Sequence, residues 1–157
     1  MALILFDTNI FIDLLNGVHQ ASIELSSYDH PAISYITYME LRCGEYSRPQ
    51  DKAVLDALLA EFKVFSMTPL IMETAIQIRG RSLVTKPSIK LPDAIIGATA
   101  RSHALALVTR NGKDFASAGV TVHTPYDYDF TTGSVTNIRP TYSPGIRTIV
   151  RRKDWRR

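Results

Sequence analysis

The run Ala2-Leu3-Ile4-Leu5-Phe6, unbroken in its hydrophobicity and closed by Asp7, constrains the fold of this chain more than any other stretch. A half-buried strand would alternate apolar and polar residues. An unbroken apolar run of this length reads instead as a strand buried on both faces, as in a parallel sheet covered by helices on either side. Ligands bind such sheets at the carboxyl ends of their strands, so a carboxylate directly after the strand is a candidate functional group. The same position suits a helix cap, because Asp, Thr and Asn accept hydrogen bonds from the free N–H groups of a first helical turn. The triplet Asp7-Thr8-Asn9 alone leaves both uses open.

The rest of the chain supplies the layers that such a strand needs. Thr8 to Leu15 is predicted as a short amphipathic helix stopped by Asn16-Gly17, and a second helix is predicted near Gln20 to Ser26. His30-Pro31 breaks the chain before a short strand at Ala32 to Ser34, and Ile36 to Glu45 returns to helix as far as Arg48-Pro49. Val54, Leu55, Leu58, Leu59 and Phe62 follow the 3.6 period of a helix over Gln50 to Phe62. A strand at Lys63 to Met67, a helix at Leu70 to Leu83 and a helix at Pro92 to Ser102 follow, with Pro92 in a first turn. Strands at Ala104 to Thr109 and Val120 to His123 close the pattern. This alternation predicts a three-layer α/β domain with a central, mainly parallel β-sheet flanked by helices.

Composition narrows the class. A chain of 157 residues with 45% hydrophobic content suits one domain with a sizeable core. A single cysteine, Cys43, makes no internal disulfide, and four scattered histidines have no zinc-type spacing, so a cytoplasmic location is expected. No apolar run approaches the roughly 18 to 20 residues that span a bilayer, so no membrane role is expected. Charge divides the chain near Phe130. Residues 131–157 carry Arg139, Arg147, Arg151, Arg152, Lys153, Arg156 and Arg157 against the single acid Asp154, while residues 1–130 are net acidic. The expected organisation is a folded domain over 1–130 and a basic flexible tail over 131–157, of a composition that a native polyanion-binding extension and an appended sequence share.

Further oxygen donors decide what Asp7 could be for. At 100° per residue, Glu40 falls within the sector of Ile36, Met39 and Cys43, the apolar face expected to point inward, where a carboxylate needs a partner or a cation. Asp93 follows Pro92 at a helix start and shares a face with Ile96, Gly97, Ala100 and Ala104. There it also complements the helix dipole. Thr109, Asn111 and Asp114 leave the second buried strand at the same kind of edge as Asp7. Hard oxygen ligands gathered at one edge suit magnesium or manganese.

Asp7-Thr8-Asn9, Glu40 on its helix, Leu91-Pro92-Asp93-Ala94-Ile95-Ile96-Gly97-Ala98-Thr99-Ala100, and Leu107-Val108-Thr109-Arg110-Asn111 with Asp114-Phe115 resemble, in order and spacing, the motifs of PIN-domain ribonucleases. Within these the chain is similar to VapC toxins of bacterial type II toxin–antitoxin systems, over residues 1 to about 125. The resemblance implies a Mg2+-dependent endoribonuclease, with Mn2+ able to substitute, leaving 5′-phosphate and 3′-hydroxyl ends. It implies that Asp7, Glu40 and Asp93 fill the first three acidic positions, with Asp7 and Asp93 as direct metal ligands. Where relatives often carry a fourth acid this chain has Asn111, so that Asp114, three residues on, serves or the fourth position is neutral. Thr8, Asn9 and Thr109 take supporting roles.

Implied partners are an RNA substrate, a VapB-like antitoxin and a second copy of the chain in a homodimer. Phe11, Leu14 and Leu15 suit a groove or dimer face, or simply the core. Two other readings compete. A haloacid-dehalogenase-like phosphatase would need an acid two residues after Asp7, where Asn9 stands, and a PIN-like module that binds RNA or protein without cutting draws on the neutral Asn111. Tyr126, Tyr128 and Phe130 read as an edge strand, a loop or a base-stacking platform, and the tail arginines as contacts to an RNA backbone.

Overall fold

The computed structural model describes residues 4–143, so Ala2, Leu3 and the arginine-rich end of the expected tail lie outside the described residues. The elements run β1 (Ile4–Phe6), α1 (Thr8–Leu15), α2 (His19–Leu25), β2 (Pro31–Ser34), α3 (Tyr35–Gly44), α4 (Lys52–Leu59), β3 (Lys63–Phe65), α5 (Pro69–Thr85), α6 (Leu91–Ser102), β4 (Ala106–Val108), β5 (Val122–His123), β6 (Asp127–Asp129) and β7 (Ser134–Thr136). Five strands form one parallel sheet in the order β3-β2-β1-β4-β5. β6 and β7 pair as a separate antiparallel hairpin.

The three predicted layers follow from the period-2 geometry of the central strand. Ile4 and Phe6 face one core with Ile10, Phe11, Leu25, Leu55 and Leu58, while Leu5 faces the other with Ile71, Ala75, Ile78, Ile96 and Leu107. Phe6 is fully buried and meets Phe11, Tyr28 and Phe62 edge to face, with ring centroids 5.6 to 6.3 Å apart. Phe11 and Leu14 are therefore core residues. The helix predicted over Gln50 to Phe62 begins as a 3-10 turn at Pro49–Asp51 and ends at Leu59, and Phe62 keeps its place in the core from the turn beyond.

The orientation of α3 departs from the sequence expectation. Met39 and Cys43 are exposed, and the buried side chains are Thr37 and Leu41. A wheel that weighs only apolar residues misplaces the inner face here, because Thr37 is buried through a hydrogen bond to Thr8. Glu40, about 60° around the helix from Thr37, therefore stands exposed at the rim of the buried face and not within it.

The hairpin occupies residues that begin the expected basic tail. Among them Val135 and Tyr142 pack on the first core, and the Tyr142 N–H donates to the Tyr28 hydroxyl at 3.0 Å. No helix among the described residues is long and apolar enough to cross a membrane.

Candidate active site

Strand order sets where the site forms. Successive crossovers carry the chain from β1 outward to β3, and it then returns to place β4 on the other flank of β1. Beyond the carboxyl ends of β1 and β4 the connections part in opposite directions, and the crevice this leaves is where parallel sheets hold ligands. Asp7 leaves β1 there and Thr109 leaves β4, with the Asp7 N–H donating to the Val108 carbonyl at 2.9 Å.

Asp7 takes the cap role that the sequence offered, and it does so at the crevice. It is the N-cap of α1, accepting the Thr8 N–H on Oδ1 at 2.7 Å. Its Oδ2 accepts the Thr109 hydroxyl at 2.7 Å and the Asn9 amide at 3.1 Å. Asn9 also donates to Thr109 Oγ1 at 3.1 Å and accepts the Arg110 N–H, while the Asn111 N–H donates to Thr109 Oγ1 at 3.0 Å. Burial nonetheless dominates. Desolvation, with the charges of Asp93 and Glu40, outweighs the hydrogen bonds from Thr109 and Thr8 and pushes the Asp7 carboxyl up to about 6.

Two further acids face it from other elements. Glu40 comes from α3, where its Oε1 lies 3.3 Å from the Thr8 hydroxyl, itself 3.1 Å from Thr37 Oγ1. Asp93 comes from the first turn of α6 and is half-buried. Both carboxyls are raised above their ordinary values, first by desolvation, then for Glu40 by the charge of Asp93 and for Asp93 by that of Asp114. Their helices are fastened together beneath the site, since the Thr99 hydroxyl of α6 donates at 3.1 Å to Ser34, the N-cap of α3.

Asp114 lies exposed on a 3-10 turn over Gly112–Phe115, within electrostatic reach of Asp93. This turn approaches α6 closely because Gly97 has no side chain. A Cβ there would stand 3.3 Å from that of Ala118 and 3.6 Å from the Phe115 ring. Asn111 is exposed, and only its backbone is tied to the network, through Thr109. Asp7, Glu40, Asp93 and Asp114 are thus brought together electrostatically, with Thr8, Asn9 and Thr109 bonded around the first of them.

The donor set fits a hard divalent cation. Every side-chain donor is oxygen, and each of Asp7, Glu40 and Asp93 is held above its ordinary pKa, a conflict that a cation between them relieves. Among the described residues there is no group of three or more His, Cys, Asp or Glu side chains that could hold a metal ion between them. Mg2+ needs none, because it takes one or two carboxylates and keeps several waters.

Sequence reasoning missed the support behind this site. Asp13 is fully buried on α1, where it pairs with the Arg110 side chain and accepts the Tyr126 hydroxyl at 2.8 Å. The signal was present, since Asp13 lies on the same apolar stripe as Ile10 and Leu14. Its partners, about a hundred residues away in sequence, left no mark of the pairing.

Residues 4–120 match the family model of the PIN domain. Among solved structures the chain is similar to a toxin–antitoxin complex from Klebsiella pneumoniae, at 41% identity and a TM-score of 0.67, covering 79% of this chain and 98% of that one. FitAcB from Neisseria gonorrhoeae is similar at 25% identity and a TM-score of 0.65, over 78% and 97% of the two chains. DNA-bound VapBC from Salmonella typhimurium shares the fold at 23% identity and a TM-score of 0.67, over 78% and 98%. No curated protein matches the chain.

Proposed function

The chain belongs to the PIN-domain family, and from that premise we propose that it is a Mg2+-dependent endoribonuclease, the toxin of a VapBC-like module, hydrolysing RNA to 5′-phosphate and 3′-hydroxyl ends. The observation that carries this reading is the convergence of Asp7, Glu40 and Asp93, from three different elements, on the crevice beside β1, where burial first and neighbouring acids second hold each carboxyl above its ordinary value. Structural carboxylates are ordinarily paired with cationic side chains; these three have no salt bridge among the described residues and would repel an RNA backbone.

In this proposal Asp7 and Asp93 hold the ion, and Glu40 and Asp114 add charge at its periphery. A bound divalent cation supplies neutralisation of the carboxylates and of the phosphate, and lowers the pKa of a coordinated water. The protein does the positioning. Thr109, Asn9 and the Thr8 N–H aim the lone pairs of Asp7, and Thr8 links Asp7 to Glu40. Asn9 donates to Asp7 from the position where a haloacid-dehalogenase-like phosphatase would carry its second acid, which disfavours that chemistry.

The antitoxin reading draws on a second feature. A cavity of about 220 Å³ opens from Thr8 and Glu40 and runs between apolar side chains of α1, α3 and α4, among them Ile12, Leu15, Leu41 and Leu55. A peptide with apolar residues along this cavity would end over the acids, where a basic residue would be complementary. The relatives crystallised as toxin–antitoxin complexes support a partner of this kind. RNA cleavage by the purified protein tests the main proposal. We expect cleavage with Mg2+ or Mn2+, none in EDTA, and none by Asp93→Asn; cleavage that survives EDTA overturns it.

A further inference from the structure

We infer that Phe130 is a stacking platform for one nucleobase of single-stranded RNA lying beside the acid site, a proposal that rests on RNA being the substrate. The three aromatic residues of the hairpin segment separate by burial. Tyr126 is fully buried, and its hydroxyl is committed to Asp13. Tyr128 is half-buried against the first core. Phe130 is 66% exposed. The segment therefore leaves Phe130, alone of the three, largely open to solvent.

That ring is braced from below. Phe130 stands edge to face with Tyr128, centroids 4.9 Å apart, and the Arg110 guanidinium lies 5.0 Å from the Phe130 centroid and 5.9 Å from that of Tyr128. Arg110 is itself pinned, its Nε bonded to the buried carboxylate of Asp13. A ring held in one orientation loses little conformational freedom on stacking. Arg110 also follows Thr109 directly, and its N–H donates to Asn9, so the platform is connected to the hydrogen bonds around Asp7.

A cavity of about 570 Å³ lies between the hairpin and the 3-10 turn, lined by Arg110, Asn111, Gly112, Lys113, Asp114 and Asp127. Asp114 lines this cavity, and its charge reaches Asp93. The cavity has the size of a nucleotide site but no apolar wall, which disfavours an apolar peptide side chain. The exposed Lys113 suits a phosphate, and Asp127 is countered by Arg139, 3.6 Å away, and bonded by Asn137. Arg110 both packs on the Phe130 ring and lines this cavity, and an aromatic ring beside cationic side chains is how single-stranded nucleic acid is held without dependence on sequence.

The test is binding of a labelled octaribonucleotide to full-length protein carrying Asp93→Asn, which suppresses cleavage, measured by fluorescence anisotropy beside hydrolysis assays of the parent protein. Adding Phe130→Ala is expected to weaken octamer binding about 5- to 100-fold, and Phe130→Trp to preserve it. An octamer made abasic throughout should bind the Phe130→Ala protein and its parent equally. Equal binding of the intact octamer by both overturns the inference while leaving metal-dependent cleavage as its own question. Phe130-dependent binding without cleavage by the parent protein supports the platform and overturns the nuclease reading. An abasic octamer that is as sensitive to Phe130→Ala as the intact one also overturns the inference, because the loss would then owe nothing to a base.

Discussion

Asp7 and Asp93 face the same crevice from supports of opposite kinds. Asp7 is 5% exposed and has its oxygens aimed by the Thr8 N–H, the Asn9 amide and the Thr109 hydroxyl. Asp93 is half-buried, and among the described residues no side-chain hydrogen bond fixes it. One carboxylate is thus preorganised at the expense of its own solvation, and the other is left to water and to the charges around it. The difference separates two properties that usually travel together in an active-site acid: both residues are proposed to hold the cation, but Asp7, the more deeply buried, should weigh more on the stability of the fold.

Substitution at each position should break them apart. Asp7→Asn and Asp93→Asn are each expected to lower RNA cleavage by at least about 100-fold, since loss of even an outer hydrogen-bond partner costs a metal site about 10- to 100-fold. In denaturant unfolding with EDTA, however, Asp7→Asn should be more stable than the parent at neutral pH, and Asp93→Asn should gain in the same direction but less. A parent-like stability for Asp7→Asn would mean that its three donors fully offset its burial.

The pH profile sharpens the same contrast. A carboxyl raised from its ordinary value to about 6 binds a proton in the folded state that the unfolded chain has released. Stability of the metal-free protein should therefore be greatest below pH 4 on account of this group. It should fall as pH rises from about 4 to 6, then level off, with a total loss of order 2 to 3 kcal/mol. Asp7→Asn should remove this group's share of the slope and leave that of the other raised carboxyls, Glu24 (pushed up to about 7 by burial), Glu40 and Asp93. Mg2+ should oppose the Asp7 share at higher pH by taking the place of the proton. Unfolding free energies measured between pH 4 and 7.5, with and without Mg2+, check both expectations.

Thr109→Val probes the preorganisation itself. It keeps the shape of a buried residue but removes the hydroxyl that donates to Asp7 and accepts from Asn9 and Asn111. We expect a 10- to 100-fold loss of metal affinity by calorimetric titration, with Thr109→Ser close to the parent, at about the usual scale for an outer hydrogen-bond partner. If the valine variant matches the parent, the aim of Asp7 is set by its helix-cap bond alone.

The inner half of this arrangement was legible in the sequence for a physical reason. An apolar strand ending in Asp7, and a second ending in Thr109, announce a parallel sheet and its ligand edge from local pattern alone. The inward face assigned to Glu40 was wrong. The wheel gave α3 an inner face at Ile36, Met39 and Cys43, whereas a buried polar contact between Thr37 and Thr8 turns the helix so that Glu40 reaches the site from its rim. What stayed hidden were pairings that join distant parts of the chain, such as Asp13 with Arg110 and Tyr126, or Ser34 with Thr99. No periodicity records which buried acid meets which distant donor.

The smallest expected effect lies at the corner where Asn111 and Asp114 divide one position. Asp114 is exposed on its turn, yet its charge is felt by Asp93, whereas the Asn111 side chain is exposed and its backbone alone joins the network. Charge interactions between exposed groups carry roughly 0.2 to 1 kcal/mol and are screened by salt. Asp114→Asn should therefore slow cleavage by no more than about fivefold, and the loss should shrink as ionic strength rises. Asn111→Ala should slow it less. Rates for both variants across a salt series distinguish the alternatives: a large, salt-insensitive loss at Asp114 would make it a direct ligand of the ion, and the less constrained wall of the crevice would then contain two ligands instead of one.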